Sequence, residues 1–308
     1  MNTRRLGKTG LFVSEIGFGG EWLERHPEEA GIELIRYAAS KGVNLLDCWM
    51  PDPKSRDIIG KGIHENRAHW IIQGHVGSTW KDGQYFRTRD MRYVKPAFED
   101  LLRRMQTDYI DLMLIHWPDV NTDFAETADA LNALKKSGKV LHIGVSNFTR
   151  EQMEEIGQYC TLEAYQPQYS MVVRTNEEQM KWAAEQGMGV MTYGSLGGGI
   201  LTGAFRKLTT FEATDSRNRF YKHFQEPMFS KVMKVLEVMD RISADRDNVP
   251  LSQIALNWCA QKEFVSSCIV GAQSRRKIEE NCAAYQWMLT SEEIALLDAA
   301  IEQYLVKQ

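Results

Sequence analysis

The chain has 308 residues, of which 43% are hydrophobic and 25% charged, with a formal net charge of -4. These values are typical of a globular protein with one large core, and they exclude the strongly basic balance of proteins that bind nucleic acid or anionic membranes. Five cysteines lie without CxxC spacing, which predicts free buried thiols in a reducing compartment. We find no secretory signal and no apolar run of membrane-spanning length, and therefore expect a cytoplasmic protein.

The chain begins with a predicted β-hairpin, RRLGKTGLFVSEI, which turns near Lys8 and Gly10 and is placed to close a barrel floor. Amphipathic helical segments then alternate with short apolar runs. The eight runs end at residues 16–20, 44–47, 70–75, 112–117, 142–147, 164–170, 189–195 and 267–273. This alternation predicts a single α/β domain over residues 1–308, a (β/α)8 TIM barrel that ends in a helix starting at Thr290 or Ser291. The segment GFGGEWL, after the first run, lacks the GxGxxG of an open dinucleotide-binding sheet.

Reactive groups of such a barrel lie at the carboxyl ends of its strands. Asp47, His75 and His116 end the second, third and fourth runs. Four tryptophans fall in strand-end loops and predict an aromatic-walled substrate pocket that suits a sugar or a flat ring: Trp22, Trp49, Trp80 and Trp117. Residues 205–229 form a long polar and aromatic loop, which predicts a lid over substrate or cofactor.

Five segments carry a resemblance to a known family: GVNLLD, LLRRMQTDYIDLMLIHWPD, GKVLHIGVSNFT, YGSLGGGILTG and IVGAQSRRKIEEN. Together and in this order they resemble the aldo-keto reductases over nearly the whole chain. The resemblance implies a (β/α)8 barrel that binds NAD(P)H without a Rossmann domain. It also implies hydride transfer between nicotinamide and a carbonyl or alcohol.

The resemblance assigns most of the cofactor site. Ser146, Asn147 and Gln166 match residues that bind the nicotinamide carboxamide, and Tyr193 matches the aromatic residue that stacks on the ring. The remaining matches for the cofactor are Ser195, Leu196, Gly198, Gly271, Gln273, Arg276, Lys277, Glu280 and Asn281. The cations at 275–277 begin a predicted helix, where a phosphate is favoured, so we expect NADP and leave NAD open.

The catalytic groups depart from the family pattern of Asp, Tyr, Lys and His. Asp47 and His116 match, but Asp52 stands at the tyrosine position and His75 at the lysine position. An imidazole titrates near neutral pH and a carboxylate can orient it and stabilise its cation. We therefore expect His75, held by Asp47, to exchange the proton and His116 to hold the substrate oxygen.

Several alternatives stay open from the sequence. Asp52 is either a second catalytic or substrate-binding carboxylate or a turn residue between two prolines. Tyr85 and Lys81, on the loop after the third strand, are candidates to replace the missing tyrosine and lysine. A second class is a protein that binds NADP without net reduction, as an internal-redox epimerase or lyase or as a sensor. A less favoured class is a metal-dependent enzyme, with the ligands Asp47, Asp52, His75 and His116.

Overall fold

The computed structural model describes residues 1–48, 52–81, 84–87, 91–118, 122–213, 215 and 217–306; of these, 78–81, 84–87, 91–93 and 219 are described by their backbone alone. The strands are β1 (Thr3–Arg5), β2 (Phe12–Ser14), β3 (Ile16–Gly19), β4 (Leu45–Cys48), β5 (Ile71–Val76), β6 (Ser78–Lys81), β7 (Gln84–Arg87), β8 (Ile110–Ile115), β9 (Val140–Ser146), β10 (Ala164–Gln166), β11 (Gly189–Thr192) and β12 (Ser267–Gly271).

Eight of these strands form a closed barrel in the order β10-β11-β12-β3-β4-β5-β8-β9, and every pair around it is parallel. The eight apolar runs of the sequence correspond one by one to these strands. All six residues of β5 and all six of β8 are buried, since strands of a parallel barrel are covered on both faces. The predicted TIM barrel is confirmed.

Helices surround the barrel and connect its strands: α1 (Glu28–Ser40), α2 (Pro53–Ile63), α3 (Met91–Met105), α4 (Phe124–Lys136), α5 (Arg150–Ile156), α6 (Glu177–Glu185), α7 (Arg217–Phe220), α8 (Met228–Ala244), α9 (Leu251–Ala260), α10 (Arg275–Ala283) and α11 (Ser291–Ile301). The last of them begins with a capping box, in which the Thr290 hydroxyl accepts from the Glu293 backbone N–H and the Glu293 carboxylate accepts from that of Thr290. The predicted C-terminal helix therefore starts where its sequence indicates.

The N-terminal hairpin closes the floor of the barrel. Strands β1 and β2 pair antiparallel, and Leu6 and Val13 are fully buried in the interior cluster that Leu45 and Met191 line. Gly7 has a φ of +50°, and a Cβ there would lie 2.3 Å from the backbone nitrogen of Gly189. Only glycine fits this position, because the hairpin backbone lies directly against the start of β11. The opposite, carboxyl-terminal end of the barrel is left for the functional site.

All five cysteines are buried and unbonded, as the sequence predicts: Cys48, Cys160, Cys259, Cys268 and Cys282. Burial raises the pKa of the Cys48 thiol to about 12, with a small opposing effect of the Arg56 charge. Such a thiol stays protonated and unreactive at neutral pH. Within the described ranges, no helix has the length and apolar character needed to cross a bilayer.

A charged cluster fixes the amino-terminal end of β10. Glu163 Oε1 lies 2.8 Å from His142 Nδ1, its Oε2 accepts from the backbone N–H of Ile143 at 3.2 Å, and the same oxygen forms an ion pair with Lys135. Burial opposes ionisation of Glu163, but these partners outweigh it and lower its pKa to about 2. The cluster therefore couples α4, β9 and β10 through one carboxylate.

This carboxylate gives a test of acid stability. The pKa of Glu163 in the folded protein, about 2, lies below the ordinary value of 4.5. Its contribution to the free energy of unfolding is therefore fully present above pH 4.5 and is lost as the pH falls toward 2. Glu163→Gln should lower the free energy of unfolding at pH 7 by about 1–2 kcal/mol, a value reduced for solvent screening of a partly exposed group. Urea unfolding at pH 3, 5 and 7 measures this.

The difference between Glu163→Gln and the wild type should shrink steadily below pH 4.5. Glu154→Gln is the matched control, because Glu154 forms an exposed pair with Arg150 on one helix. It should change stability by less than about 0.5 kcal/mol at every pH. Equal effects of the two substitutions would contradict the assignment.

Candidate functional site

Asp47 and His75 form a buried pair at the carboxyl end of the barrel. Asp47 Oδ1 lies 2.8 Å from His75 Nε2, and only 6% of the aspartate side chain and 2% of the histidine side chain are exposed. Strands β4 and β5 are neighbours, with Asp47 opposite Gln73 in register. Because alternate residues of a strand share a face, Gln73 and His75 both point at the same carboxylate.

Two neighbours contact Nε2 of His75. Gln73 Nε2 donates to Asp47 Oδ1 at 2.7 Å and also lies 3.0 Å from His75 Nε2. The Asp47 carboxylate oxygen, 2.8 Å from the same nitrogen, favours a proton on Nε2. His75 Nδ1 is buried and has no hydrogen-bond partner in the described part of the chain. The imidazole is thus held at Nε2, and its buried Nδ1 is not committed to any described group.

Gln73 was not singled out from the sequence. The available signal is a polar residue inside an otherwise apolar, buried strand, two positions before a candidate histidine. A fully buried amide needs a partner, and the carboxylate of the next strand is the one within reach.

His116 completes the predicted group at the end of β8. Its ring centroid lies 5.1 Å from that of His75, and the two rings are nearly perpendicular at 81°. The backbone N–H of His116 donates to Val76 at 2.8 Å, which continues the β5–β8 pairing beyond the strand. Trp117 lies beside His116 with ring centroids 5.7 Å apart. The structure therefore brings Asp47, His75 and His116 together.

Asp52 has a different environment, as the N-terminal cap of α2. Its Oδ1 accepts from the backbone N–H of Ser55 at 2.9 Å, with Pro53 at the first helical position. This is the turn interpretation of the two left open by the sequence. Among the residues that the structure describes, no three His, Cys, Asp or Glu side chains are arranged to hold a metal, so the four-residue ligand set considered above is not assembled there.

A hydrogen-bonded cluster joins the ends of β9, β10 and β11. Asn147, with a φ of +61°, donates from Nδ2 to Ser146 Oγ and to the His116 carbonyl, both at 3.0 Å. The Tyr193 hydroxyl donates to Asn147 Oδ1 at 2.7 Å. Gln166 is buried, and its Nε2 has no partner in the described residues. A buried amide donor without a described partner suits a carboxamide oxygen, the group that the resemblance implies for Ser146, Asn147 and Gln166.

A glycine-rich turn follows β11. Ser195 is buried, with Oγ 3.0 Å from Thr192 Oγ1, and Leu196 precedes the short helical turn Gly197–Thr202. Gly198 has a φ of +63°, and a Cβ there would lie 3.0 Å from the ring of Tyr221. Tyr221 belongs to the predicted lid, residues 205–229, so this segment packs directly on the turn.

The basic start of α10 is partly neutralised. Arg275 forms an ion pair with Glu33 and lies 4.9 Å from the ring centroid of Tyr37. Lys277 Nζ lies 3.1 Å from Glu280 Oε1. Arg276 is exposed and has no ion-pair partner among the described side chains.

The segment from the end of β12 through α10 contains the remaining residues that the resemblance assigns to the adenosine end of the cofactor. Glu280 also accepts a hydrogen bond from Ser252 Oγ at 2.5 Å. Asn281, the next residue, is buried. Gly271 and Gln273 are exposed at the end of β12. Of the three cations at 275–277, Arg276 is the one without an ion pair in the described ranges, and it lies near these residues in sequence.

Two of the four predicted pocket tryptophans can be placed. Trp22 lies against Gly271, where a Cβ would come within 3.3 Å of its Cδ1, and Trp117 lies beside His116. Trp49 lies outside the described residues, and Trp80 is described only by its backbone, opposite Tyr85 in the β6–β7 hairpin. Lys81 is in the same hairpin, and its side chain lies outside the description as well.

Glu21 is a further ionisable group of this region that the sequence analysis did not single out. It lies two residues after β3, and Gly20 between them donates its N–H to the Asp47 carbonyl at 3.0 Å. Burial, followed by the charges of Glu24 and Asp47, raises the pKa of Glu21 to about 7. The sequence feature that could have indicated Glu21 is a carboxylate directly after the Gly19-Gly20 pair at the end of the first apolar run.

Comparison with known proteins identifies the family. Residues 15–302 match the model of the Aldo/keto reductase family. The aldo-keto reductase YhdN of Bacillus subtilis is 31% identical, over 98% of this chain and 94% of the relative. The glycerol dehydrogenase AKR11B4 of Gluconobacter oxydans has a TM-score of 0.89 and 28% identity, over 100% of this chain and 97% of its own. The aldo-keto reductase AKR11C1 of Bacillus halodurans, in its holo form, has a TM-score of 0.83 and 25% identity, over 100% of this chain and 99% of its own.

These matches extend over the barrel and the strand-end residues described above. Aldo/keto reductases are NAD(P)-dependent oxidoreductases that act on small molecules. The chain belongs to the Aldo/keto reductase family and is an oxidoreductase enzyme of that family.

Proposed function

We propose that this enzyme transfers hydride between a nicotinamide cofactor and the carbonyl or alcohol carbon of a small substrate, with His75 and Asp47 in place of the family's tyrosine and lysine as the proton-exchanging group. The observation that carries the proposal is the buried Asp47–His75 contact of 2.8 Å, with the second imidazole nitrogen lacking a hydrogen-bond partner in the described residues. An oriented imidazole with one uncommitted nitrogen is a sound general acid or base.

The direction of proton movement follows from the tautomer. With Nε2–H donated to Asp47, the lone pair of Nδ1 accepts the hydroxyl proton during alcohol oxidation. In the reverse direction the protonated ring donates from Nδ1 to the carbonyl oxygen. Asp47 stabilises the cation in both directions, and the amide of Gln73 prevents the carboxylate from rotating away.

His116 is proposed to hold the substrate oxygen. Its ring lies 5.1 Å from that of His75 in edge-to-face contact, so the two imidazoles are neighbours at the same end of the barrel. Trp117 beside it provides an apolar wall. Trp22 and Trp117 together support a sugar or another ring-containing substrate, because aromatic faces stack on such rings. Asp52 is left out of this mechanism because its Oδ1 caps a helix.

The cofactor, when bound, supplies or accepts the hydride. Ser146, Asn147 and Gln166 are proposed to bind its carboxamide and Tyr193 to stack on its ring, and the open Nε2 of Gln166 supports this. The turn with Ser195, Leu196 and Gly198 is proposed to hold the phosphates. The adenosine end is proposed to lie against Gly271, Gln273, Arg276, Lys277, Glu280 and Asn281.

NADP is the proposed cofactor, with Arg276 as the cation for its additional phosphate. Arg275 and Lys277 are already neutralised by Glu33 and Glu280. An unpaired guanidinium binds a phosphate without first breaking an ion pair. The buried free thiols support a reducing, cytoplasmic location.

The central test is the removal of the imidazole. His75→Ala should lower turnover by about 10²- to 10⁴-fold, because the acid or base of the reaction is lost. The assay follows NADPH absorbance with a panel of small alcohols, ketones and sugars. His64→Ala is the control, since His64 is exposed on the outer face. Full turnover of His75→Ala on an identified substrate would rule out the proposed role.

The same assay distinguishes the alternative class of enzyme. Stoichiometric loss of NADPH with substrate supports net reduction. Product formation without net NADPH loss would instead indicate an internal redox step.

A second prediction concerns the carboxamide contact. Gln166→Leu should weaken nicotinamide nucleotide binding by about 5- to 30-fold, which corresponds to one lost hydrogen bond of about 1–2 kcal/mol. Fluorescence titration with NADPH and NADH measures the two affinities, and the substitution should lower both by the same factor. Gln158→Leu, on the exposed outer surface, should leave both affinities unchanged.

A third prediction concerns the choice between the two nucleotides. Arg276→Ser should weaken NADPH binding by about 10-fold and leave NADH binding unchanged, because only NADPH carries the additional phosphate. Arg275→Ser should have a much smaller effect, since this guanidinium is paired with Glu33. An equal decrease in the affinities for NADPH and NADH in Arg276→Ser would contradict the assignment of Arg276 to the additional phosphate.

A further inference from the structure

The backbone of His116 is held from both sides where β8 ends. Its N–H donates to the Val76 carbonyl at 2.8 Å, which continues the pairing of β5 and β8 by one residue. On the other side, the pairing of β8 and β9 ends with Ile115 opposite Val145. Beyond that pair, the His116 carbonyl accepts from the side chain of Asn147 at 3.0 Å. On the β9 side, this position is therefore held by a side-chain amide and not by the next backbone group of the strand.

The amide of Asn147 uses both of its N–H groups inside the protein. Nδ2 donates to the His116 carbonyl and to Ser146 Oγ, both at 3.0 Å. The Ser146 hydroxyl donates its own proton to the Gln166 carbonyl at 2.8 Å, so its oxygen is an acceptor toward Asn147. Because both neighbours are acceptors, the nitrogen end of the amide faces β8.

The backbone of Asn147 has an uncommon conformation. Its φ of +61° lies in the left-handed region, which disfavours residues that carry a side chain. Such a conformation persists where the surrounding contacts impose it. The left-handed turn directly after β9 places the amide between the ends of β8 and β11, where its hydrogen-bond partners His116 and Tyr193 lie.

Tyr193 holds the oxygen end of the same amide. Its hydroxyl donates to Asn147 Oδ1 at 2.7 Å. The backbone of Tyr193 is itself fixed to the segment after β10, since its N–H donates to the Pro167 carbonyl and its carbonyl accepts from the N–H of Tyr169, both at 3.1 Å. The phenol is therefore an anchored donor at the end of β11 for an amide that reaches β8.

We propose that Tyr193 and Asn147 are positioning residues for His116: the phenol hydroxyl fixes the amide, and the amide fixes the backbone from which the imidazole faces His75. This role rests on the proposed role of His116 in holding the substrate oxygen. It gives the Tyr193 hydroxyl a function beyond the stacking of its ring on the nicotinamide. The rings of His116 and His75 are nearly perpendicular, with centroids 5.1 Å apart, so a movement of the His116 backbone changes the contact between them.

The first test is an NMR spectrum of the full-length protein with isotope-labelled histidine rings, recorded without substrate or cofactor. The signals of His116 and His75 are identified by their absence in His116→Gln and His75→Gln. Tyr193→Phe removes the hydroxyl and keeps the ring. It should move both signals, because the amide loses the donor that holds Oδ1. The signal of the exposed His64 should stay in place.

Asn147→Gly is a second variant, since glycine accepts a φ of +61° and removes the amide. It should move the same two signals, and adding Tyr193→Phe to it should move them no further, because both changes break one chain of hydrogen bonds. Tyr159→Phe is the matched control, because this tyrosine is 46% exposed and the loss of its hydroxyl should leave both signals unchanged. Unchanged signals of His116 and His75 in Tyr193→Phe, or in Asn147→Gly, overturn the proposal.

A second measurement separates the positioning of His116 from cofactor binding. With an identified substrate, Tyr193→Phe should lower kcat/KM by about 5- to 30-fold, as expected for one lost hydrogen bond, and change the affinity for NADPH by less than about twofold. An equal loss in the affinity for NADPH would assign the hydroxyl to the cofactor and overturn the proposal. Moved signals of His116 and His75 together with an unchanged kcat/KM would retain the positioning and instead reject the proposed role of His116.

Discussion

Closure of the parallel barrel is the constraint on which the site depends. Eight strands that all run in one direction must end on the same rim, so residues far apart in sequence meet there. Asp47 and His116 are 69 positions apart in the chain (116 minus 47), yet both contact or face the ring of His75. The hairpin β1–β2 fills the opposite end with Leu6 and Val13.

Burial of a carboxylate at this rim determines what surrounds it. Asp47 is nearly inaccessible, and an isolated charge there would be costly unless donors satisfied it. Gln73 and His75 supply those donors from the next strand at 2.7 and 2.8 Å. The neighbouring strand β5 therefore satisfies the carboxylate with two side-chain donors.

The fold was largely readable from the sequence, because strand endings and helix caps are local signals. The eight apolar runs match the eight barrel strands, and Thr290 starts α11 as its capping pattern indicates. The positions of Asp47, His75 and His116 at one end of the barrel were predictable for the same reason. Gln73 was missed because its hydrogen bond is to a carboxylate on another strand, and the sequence does not show which residues of two strands lie opposite each other. Asp52 illustrates the reverse case, since its hydrogen bond to Ser55 is local and favoured the turn interpretation.

The described side chains of the site form two groups on opposite sides of the barrel. Ser146, Asn147 and Tyr193 are joined by hydrogen bonds at the ends of β9 and β11, and Ser146 Oγ also donates to the Gln166 carbonyl at the end of β10. Asp47, Gln73 and His75 form the second group, on β4 and β5. His116 is the contact between them, since its carbonyl accepts from Asn147 at 3.0 Å while its ring faces His75. The residue that follows β8 therefore links the two groups of hydrogen bonds.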